Sequence, residues 1–230
     1  MRDDPPAVML FAAGFGTRMG ALTQDRPKPL IEVADRPLID HALSLVEGIR
    51  AKTVVVNLHY KAEMLEQHLK GTSVRMIREE PNILDTGGGL RNALPLLGKD
   101  PVVTINSDAV WAGPNPIEML LRAWDPARMD ALLICIPTEQ AHGRKGPGDF
   151  EIGPDGRLSR GGNTVYGGVQ ILKTDLVPDV PEVSFSLNVI WNKMAVSNRL
   201  FGLRYPGQWC DVGHPGGIPE AEAMLAHANV

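Results

Sequence analysis

Apolar residues along this chain fall into two alternating kinds of run, short continuous ones and longer ones with a helical spacing. Continuous apolar runs at Val8–Ala13, Thr53–Leu58, Ser73–Arg78, Val102–Ile105 and Ala131–Ile136 read as strands, most of them buried on both faces. Between them lie helical patterns. Pro37 opens one that runs to about Ile49, with Leu38, Ile39, Ala42, Leu45, Val46 and Ile49 on one side. Ala62, Leu65 and Leu69 mark the next, which Gly71 ends. Leu90–Leu97 and Ile117–Trp124 complete the alternation. Strands separated by single helices imply parallel pairing and right-handed crossovers. The expected fold is therefore α/β, a doubly wound, mostly parallel, Rossmann-like sheet.

The pattern changes at residue 137. From there to 165 the chain is rich in glycine, proline and charge, with Gly153-Pro154-Asp155-Gly156 as a turn between short strands Phe150–Ile152 and Arg157–Ser159. A long irregular stretch inside a domain is commonly a functional lid, so His142–Gly148 is expected to be mobile. Tyr166–Leu172 and Leu200–Tyr205 read as strands, Leu187–Val196 and Ile218–His227 as helices. No repeat or linker divides the chain. One domain over 1–230 is expected, with an alternating α/β half to about 136, a small β/loop insertion over about 137–215 and a closing helix at 216–230.

Composition narrows the classes. The net charge is −4 without a basic block, which argues against nucleic acid as a partner. No apolar run reaches membrane-spanning length. Met1-Arg2-Asp3-Asp4-Pro5-Pro6 lacks the apolar stretch of a leader, and the two cysteines, Cys135 and Cys210, form no disulfide framework, so a cytoplasmic protein is expected.

The first strand breaks into Ala13-Gly14-Phe15-Gly16-Thr17-Arg18-Met19, followed by Arg26-Pro27-Lys28-Pro29-Leu30. Gly14 and Gly16 let backbone N–H groups approach a ligand. Arg18 can fork onto phosphate oxygens. The prolines on both sides of Lys28 stiffen its mount and are expected to exclude a helix there. Met19 stands where a dinucleotide fingerprint needs its third glycine, and Gly16-Thr17-Arg18 is not a P-loop ending. The glycines alone are compatible with an ordinary strand-to-loop turn. With Arg18 and Pro27-Lys28-Pro29 the segment is a candidate polyphosphate cradle.

Ala12-Ala13-Gly14-x-Gly16-Thr17-Arg18-Met19, then Leu22-Thr23 and Pro27-Lys28-Pro29-Leu30, resembles the signature of the sugar-phosphate nucleotidyltransferases, most of all their short, muramate-type subgroup. Gly20-Ala21 departs from it, where many relatives have a basic residue and proline. The resemblance implies transfer of a nucleotidyl group from a nucleoside triphosphate, UTP in this subgroup, to a sugar 1-phosphate, with the half to about 136 binding the nucleotide and the 137–215 insertion binding the sugar. Ala13, Gly14, Gly16, Thr17, Arg18 and Lys28 would hold the nucleotide, with Arg18, Lys28 and Asp108 catalytic.

Asp108 follows the strand Val102–Ile105, where open α/β sheets bind ligands. By position it suits either Mg²⁺ or a loop-capping role. The resemblance makes it a metal ligand and adds Asp211, in Trp209-Cys210-Asp211-Val212-Gly213. It also assigns the nucleobase to Thr86, Gly87 and Gly88 of Asp85-Thr86-Gly87-Gly88-Gly89, a sequence equally compatible with a flexible, capped helix start. Close approach of a flat ligand is the expected reason for three glycines. On the sugar side, Tyr166-Gly167-Gly168-Val169 and Phe185-Ser186-Leu187-Asn188 match the family, giving Tyr166, Gly168 and Asn188, while Gly148 and Glu151 fill the remaining places less specifically. His214 is given no role. Small-molecule substrates, Mg²⁺ and a monomer or homodimer complete the expectation. Another base or sugar, as in a guanylyltransferase or thymidylyltransferase, remains open, as does a non-catalytic nucleotide-sugar-sensing subunit, which could dispense with the acidic pair.

Overall fold

A computed structural model describes residues 5–98 and 101–228. Of the leader reading over residues 1–6, residues 1–4 lie outside the described residues, as do 229 and 230 of the closing segment. Strand β1 (Ala7–Phe11) runs into two 3-10 turns, Thr17–Thr23 and Lys28–Leu30. A ribbon of β2 (Glu32–Val33) and β3 (Arg36–Pro37) leads to α1 (Leu38–Glu47). Then β4 (Thr53–Leu58), α2 (Ala62–His68), β5 (Arg75–Arg78), α3 (Asp85–Leu97) and β6 (Val102–Asn106) alternate. After β7 (Ala109–Ala112), α4 (Pro116–Ala123) and β8 (Ala131–Pro137) come three short strands, β9 (Ala141–His142), β10 (Phe150–Ile152) and β11 (Leu158–Arg160). The chain finishes with β12 (Thr164–Leu172), α5 (Asn188–Val196), β13 (Leu200–Arg204), β14 (Gln208–Asp211) and α6 (Gly217–Ala228).

The main sheet has nine strands, in the order β11-β10-β12-β6-β1-β4-β5, with β8 on β12 and β13 on β8. Pairing is parallel across β6-β1-β4-β5 and between β8 and β13. β1 shows why the core has two sides. Val8 and Leu10 face one apolar cluster with α1, α2 and α4, while Ala7 and Met9 face another with α3 and α5. Helices therefore cover both faces, as the alternating pattern predicts.

Three expectations need correction. β8 is not a parallel neighbour of β6, because β12 lies between them and runs antiparallel to both. Simple alternation cannot foresee that insertion, since the irregular region before β12 lets the chain reverse direction. Lys28–Leu30 does form a helical turn, a 3-10 one, in which Leu30 N–H donates to the Pro27 carbonyl and Ile31 N–H to that of Lys28. Pro29 is tolerated because its missing N–H has no place in either bond. Finally, β9 and β7 flank β14 in a separate three-stranded sheet that no apolar run announced. His142, expected at the start of a mobile segment, pairs there with Cys210, and the next residue, Gly143, donates its N–H to Glu220 at 2.7 Å.

Candidate active site

The carboxyl ends of β4, β1 and β6 lie side by side, with Phe11 in register with Asn57 and Asn106. Strand connections diverge there, which opens a crevice. The β1 chain end is fastened on both flanks. Ala12 N–H donates to Asn57 Oδ1 at 2.8 Å, and Ser107 Oγ donates to the Phe11 carbonyl at 2.6 Å. A cavity of about 300 Å³ opens here, lined by Ala13, Gly14, Gly16, Thr17, Arg18, Lys28, Thr86 and Asp108.

The two loop glycines do different work. An added Cβ on Gly14 would meet nothing within 4 Å, so its backbone faces the open crevice. Gly16 has φ +65°, and a Cβ there would sit 2.8 Å from Lys28 Cβ. Gly16 thus lets the cradle close onto the lysine-bearing turn. That turn leaves Lys28 only 9% exposed and sends Nζ to Asp108 Oδ2 at 2.7 Å.

Asp108 sits in the tight connection between β6 and β7. Asp211 ends β14, opposite Ala109 of β7, and Val212 N–H donates to the Asp108 carbonyl at 2.9 Å. One backbone ladder therefore brings together two carboxylates far apart in sequence. Burial, and then the charge of Asp108, push the Asp211 carboxyl above its usual range, while Lys28, Arg18 and Arg144 pull the other way. A buried carboxylate beside a second like charge, both with hard oxygen donors, suits a divalent cation. Two protein carboxylates with phosphate oxygens and water is the usual Mg²⁺ arrangement, and no group of three or more metal-ligating side chains occurs among the described residues. Cys210, next to Asp211, is no rival ligand, since burial pushes its thiol up to about 12.

A second cavity of about 310 Å³ continues from the first and shares Arg18, Asp85, Thr86, Asn106 and Asp108 with it. Asp211, Tyr166, Gly168 and Asn188 line it. Gly168, at φ +90°, passes close over Asn106. Gly148 and Glu151 are not among its walls. Gly148 packs against the backbone of Gly162 and Thr164, and Glu151 packs against Gly162. Strand alternation explains the miss, because Phe150 turns into the cavity and its neighbour Glu151 turns away. The residues that take these places are Asp149, Phe150, Arg144, Arg160 and Trp191.

The glycine triplet also needs correction. Gly87 and Gly88 line neither cavity, and both donate their N–H groups to the Phe185 carbonyl, at 2.8 and 3.1 Å. A Cβ on Gly87 would overlap the Phe185 ring, one on Gly88 would press on the Val183 carbonyl, and one on Gly89 on Glu79. The triplet admits the 183–185 segment and Glu79, not a flat ligand. Thr86 does face both cavities, and its Oγ1 accepts from Leu187 N–H at 3.0 Å. Asp85 Oδ1 accepts from the adjacent Thr86 N–H at 2.6 Å, while the helix cap position is Leu84, which makes no side-chain cap bond.

Sequence reasoning passed over Asn57 and Glu79, which also line the first cavity. Asn57 Nδ2 donates to the buried Glu79 Oε1 at 2.6 Å, and Leu84 N–H donates to Glu79 Oε2 at 2.7 Å. A polar residue ending an otherwise apolar strand was the available signal. His214, without an assigned role, holds the Gly143 carbonyl at 3.0 Å and so helps fix the β9 turn.

This fold and this crevice define a nucleotidyltransferase. Solved structures share the fold over nearly their whole length. They include UDP-glucose pyrophosphorylase complexed with UDP-glucose (TM-score 0.77, 16% identity, 97% of this chain and 99% of that one) and HddC from Yersinia pseudotuberculosis (TM-score 0.76, 19% identity, 96% and 99%). Residues 8–214 match the MobA-like NTP transferase domain, and the chain belongs to that family. It is similar to N-acetylmuramate alpha-1-phosphate uridylyltransferase of Caulobacter vibrioides, at 40% identity over 99% of this chain and all of the relative. A mannose-1-phosphate guanyltransferase of Pichia angusta is 26% identical over 90% of this chain and 60% of its own length. No helix among the described residues is long and apolar enough to cross a membrane.

Proposed function

We propose that this enzyme transfers a uridylyl group from UTP to N-acetylmuramate 1-phosphate, releasing pyrophosphate and the UDP-sugar. The full-length similarity to the uridylyltransferase supports the choice of substrates. The observation that carries the chemistry is the convergence of Lys28, Asp108 and Asp211 where the two cavities meet. The whole chain works as one unit. The part up to about 136 holds the nucleotide, about 137–215 the sugar, and the last helix closes the fold.

A phosphate oxygen of the sugar 1-phosphate attacks the α-phosphorus of UTP in line, and the bond to the β-phosphate oxygen breaks. The attacking oxygen is already anionic near neutral pH, so no general base is needed. Catalysis is then positioning and charge neutralisation. Gly14, Gly16 and Thr17 offer backbone to the triphosphate, and Arg18 takes the departing pyrophosphate. Ala13 and Thr86 flank the nucleoside, with Asn57 and Glu79 behind. Lys28 holds its ammonium at the α-phosphate. Asp108 and Asp211 would hold Mg²⁺, which when bound neutralises phosphate oxygens of both substrates. Tyr166, Gly168 and Asn188 wall the sugar.

Pyrophosphate release is the direct test, with UTP, GTP and dTTP each offered N-acetylmuramate, mannose and glucose 1-phosphates. The proposal expects UTP with N-acetylmuramate 1-phosphate to give the highest kcat/KM. A higher value for GTP with mannose 1-phosphate would replace it with the guanylyltransferase reading.

A further inference from the structure

Three guanidinium groups line the acceptor cavity, those of Arg18, Arg144 and Arg160, and the last two are not equivalent. Arg144 is neutralised locally, since its NH2 group donates to Asp149 Oδ1 at 2.7 Å. The other oxygen of Asp149 accepts from Tyr166 N–H at 2.9 Å. Asp149 is thereby occupied on both sides. Arg160, at the end of β11, makes no ion pair among the described residues. Its Nε and NH2 donate to one neutral acceptor, Asn192 Oδ1, at 3.1 and 2.8 Å. Its plane lies against Phe150, 4.7 Å from the ring centroid, and Trp191, 5.8 Å away. Desolvation lowers its pKa, and the nearby charge of Asp149, already paired with Arg144, offsets this only in part. Aromatic faces hold a guanidinium flat and leave its remaining donors aimed outward.

A neutral sugar offers hydroxyls and an amide, for which a cation with several free donors is poorly matched. An ionised carboxylate matches it well, because a guanidinium edge and a carboxylate share a two-bond geometry. The reacting phosphate does not fill this place, since it belongs beside Lys28 and the acidic pair. We propose that Arg160 is a second anion site in the acceptor cavity and takes a carboxylate carried by the sugar itself. Arg160 is then a specificity residue that selects acidic over neutral sugar 1-phosphates. This rests on the reading of the acceptor as a sugar 1-phosphate. N-acetylmuramate fits the class, as N-acetylglucosamine bearing a lactyl ether.

The test compares two acceptors that differ only in that ether, N-acetylmuramate 1-phosphate and N-acetylglucosamine 1-phosphate, with UTP and Mg²⁺ saturating. Arg160→Gln is expected to lower the ratio of kcat/KM for the acidic over the neutral acceptor by about 10–100-fold, mainly through KM, the range of a lost charge-assisted bond. Arg160→Lys keeps the charge but loses the paired geometry, and its ratio should fall between the two. Thermal melts confirm that each variant is folded. A wild-type ratio near one, or a ratio unchanged in Arg160→Gln because both acceptors suffer equally or neither does, overturns the assignment while leaving the transferase reading intact. Absence of pyrophosphate release from wild-type protein with every sugar 1-phosphate overturns the transferase reading and this inference with it.

Discussion

Lys28 Nζ lies 2.7 Å from Asp108 Oδ2 across 80 residues of sequence, and the pair closes the junction between the two cavities. Without substrates, this ammonium is the nearest cation to a carboxylate assigned to a metal. Substrate phosphate and Mg²⁺ would share out the same partners, so Lys28 and Asp108 are tuned to one another. Lys28→Ala should therefore lower kcat by about 10²–10³ with little change in melting temperature, the usual loss for one transition-state donor. Steady-state pyrophosphate release with a thermal melt checks both halves.

Asp108→Asn and Asp211→Asn should each leave a folded protein with very low turnover. For wild type, EDTA should abolish pyrophosphate release and added Mg²⁺ should restore it. Turnover that survives exhaustive chelation would remove the metal from the scheme.

Gly14 and Gly87 offer a contrast between ligand space and packing space. Gly14→Ala meets no protein atom within 4 Å, so stability should hold while the KM for UTP rises. Gly87→Ala drives a methyl group into the Phe185 ring and should cost about 1–3 kcal/mol of stability, as overpacking does. Chemical denaturation and UTP titration of the two variants separate the effects.

Asp130 binds Lys173 Nζ and Arg199 Nε, each at 2.8 Å, and so joins the entry of β8 to the end of β12 and the start of β13. Burial alone would raise its carboxyl pKa, but the two cations outweigh burial and lower it. A carboxyl depressed in the folded state binds fewer protons there than in the unfolded chain. Its contribution is present above the unfolded value of about 4 and is lost as pH falls through the folded value. Asp130→Asn should cost about 1–2 kcal/mol at pH 7. The gap to wild type should close progressively below about pH 4, measured by urea unfolding across pH.

The parts of this molecule legible in the sequence are those where one local pattern decides the outcome. β1, β4 and β6 are short apolar runs that could only be buried strands, and they place Asp108 at the right end of the sheet. The insertion of β12 and the sheet of β7, β14 and β9 depend on pairing between distant segments, which no local window contains. The site divides in the same way. Arg18, Lys28 and Asp108 belong to compact motifs. Asp149, Arg160 and Trp191 reach the second cavity from three separate stretches, each with an ordinary local sequence. The glycine triplet does mark a close approach, but the approaching groups belong to the chain itself, Phe185, Val183 and Glu79.

That contact has a consequence of its own. Phe185 hangs from the first turn of α3 by two amides, Thr86 steadies Leu187, and Arg91 clasps the carbonyls of Val180, Glu182 and Val183. A wall shared by both cavities, at Asp85 and Thr86, is thus bolted to the 186–188 wall of the second. Loading either compartment should alter the grip on its neighbour, and thermodynamic reciprocity requires the two alterations to be the same factor.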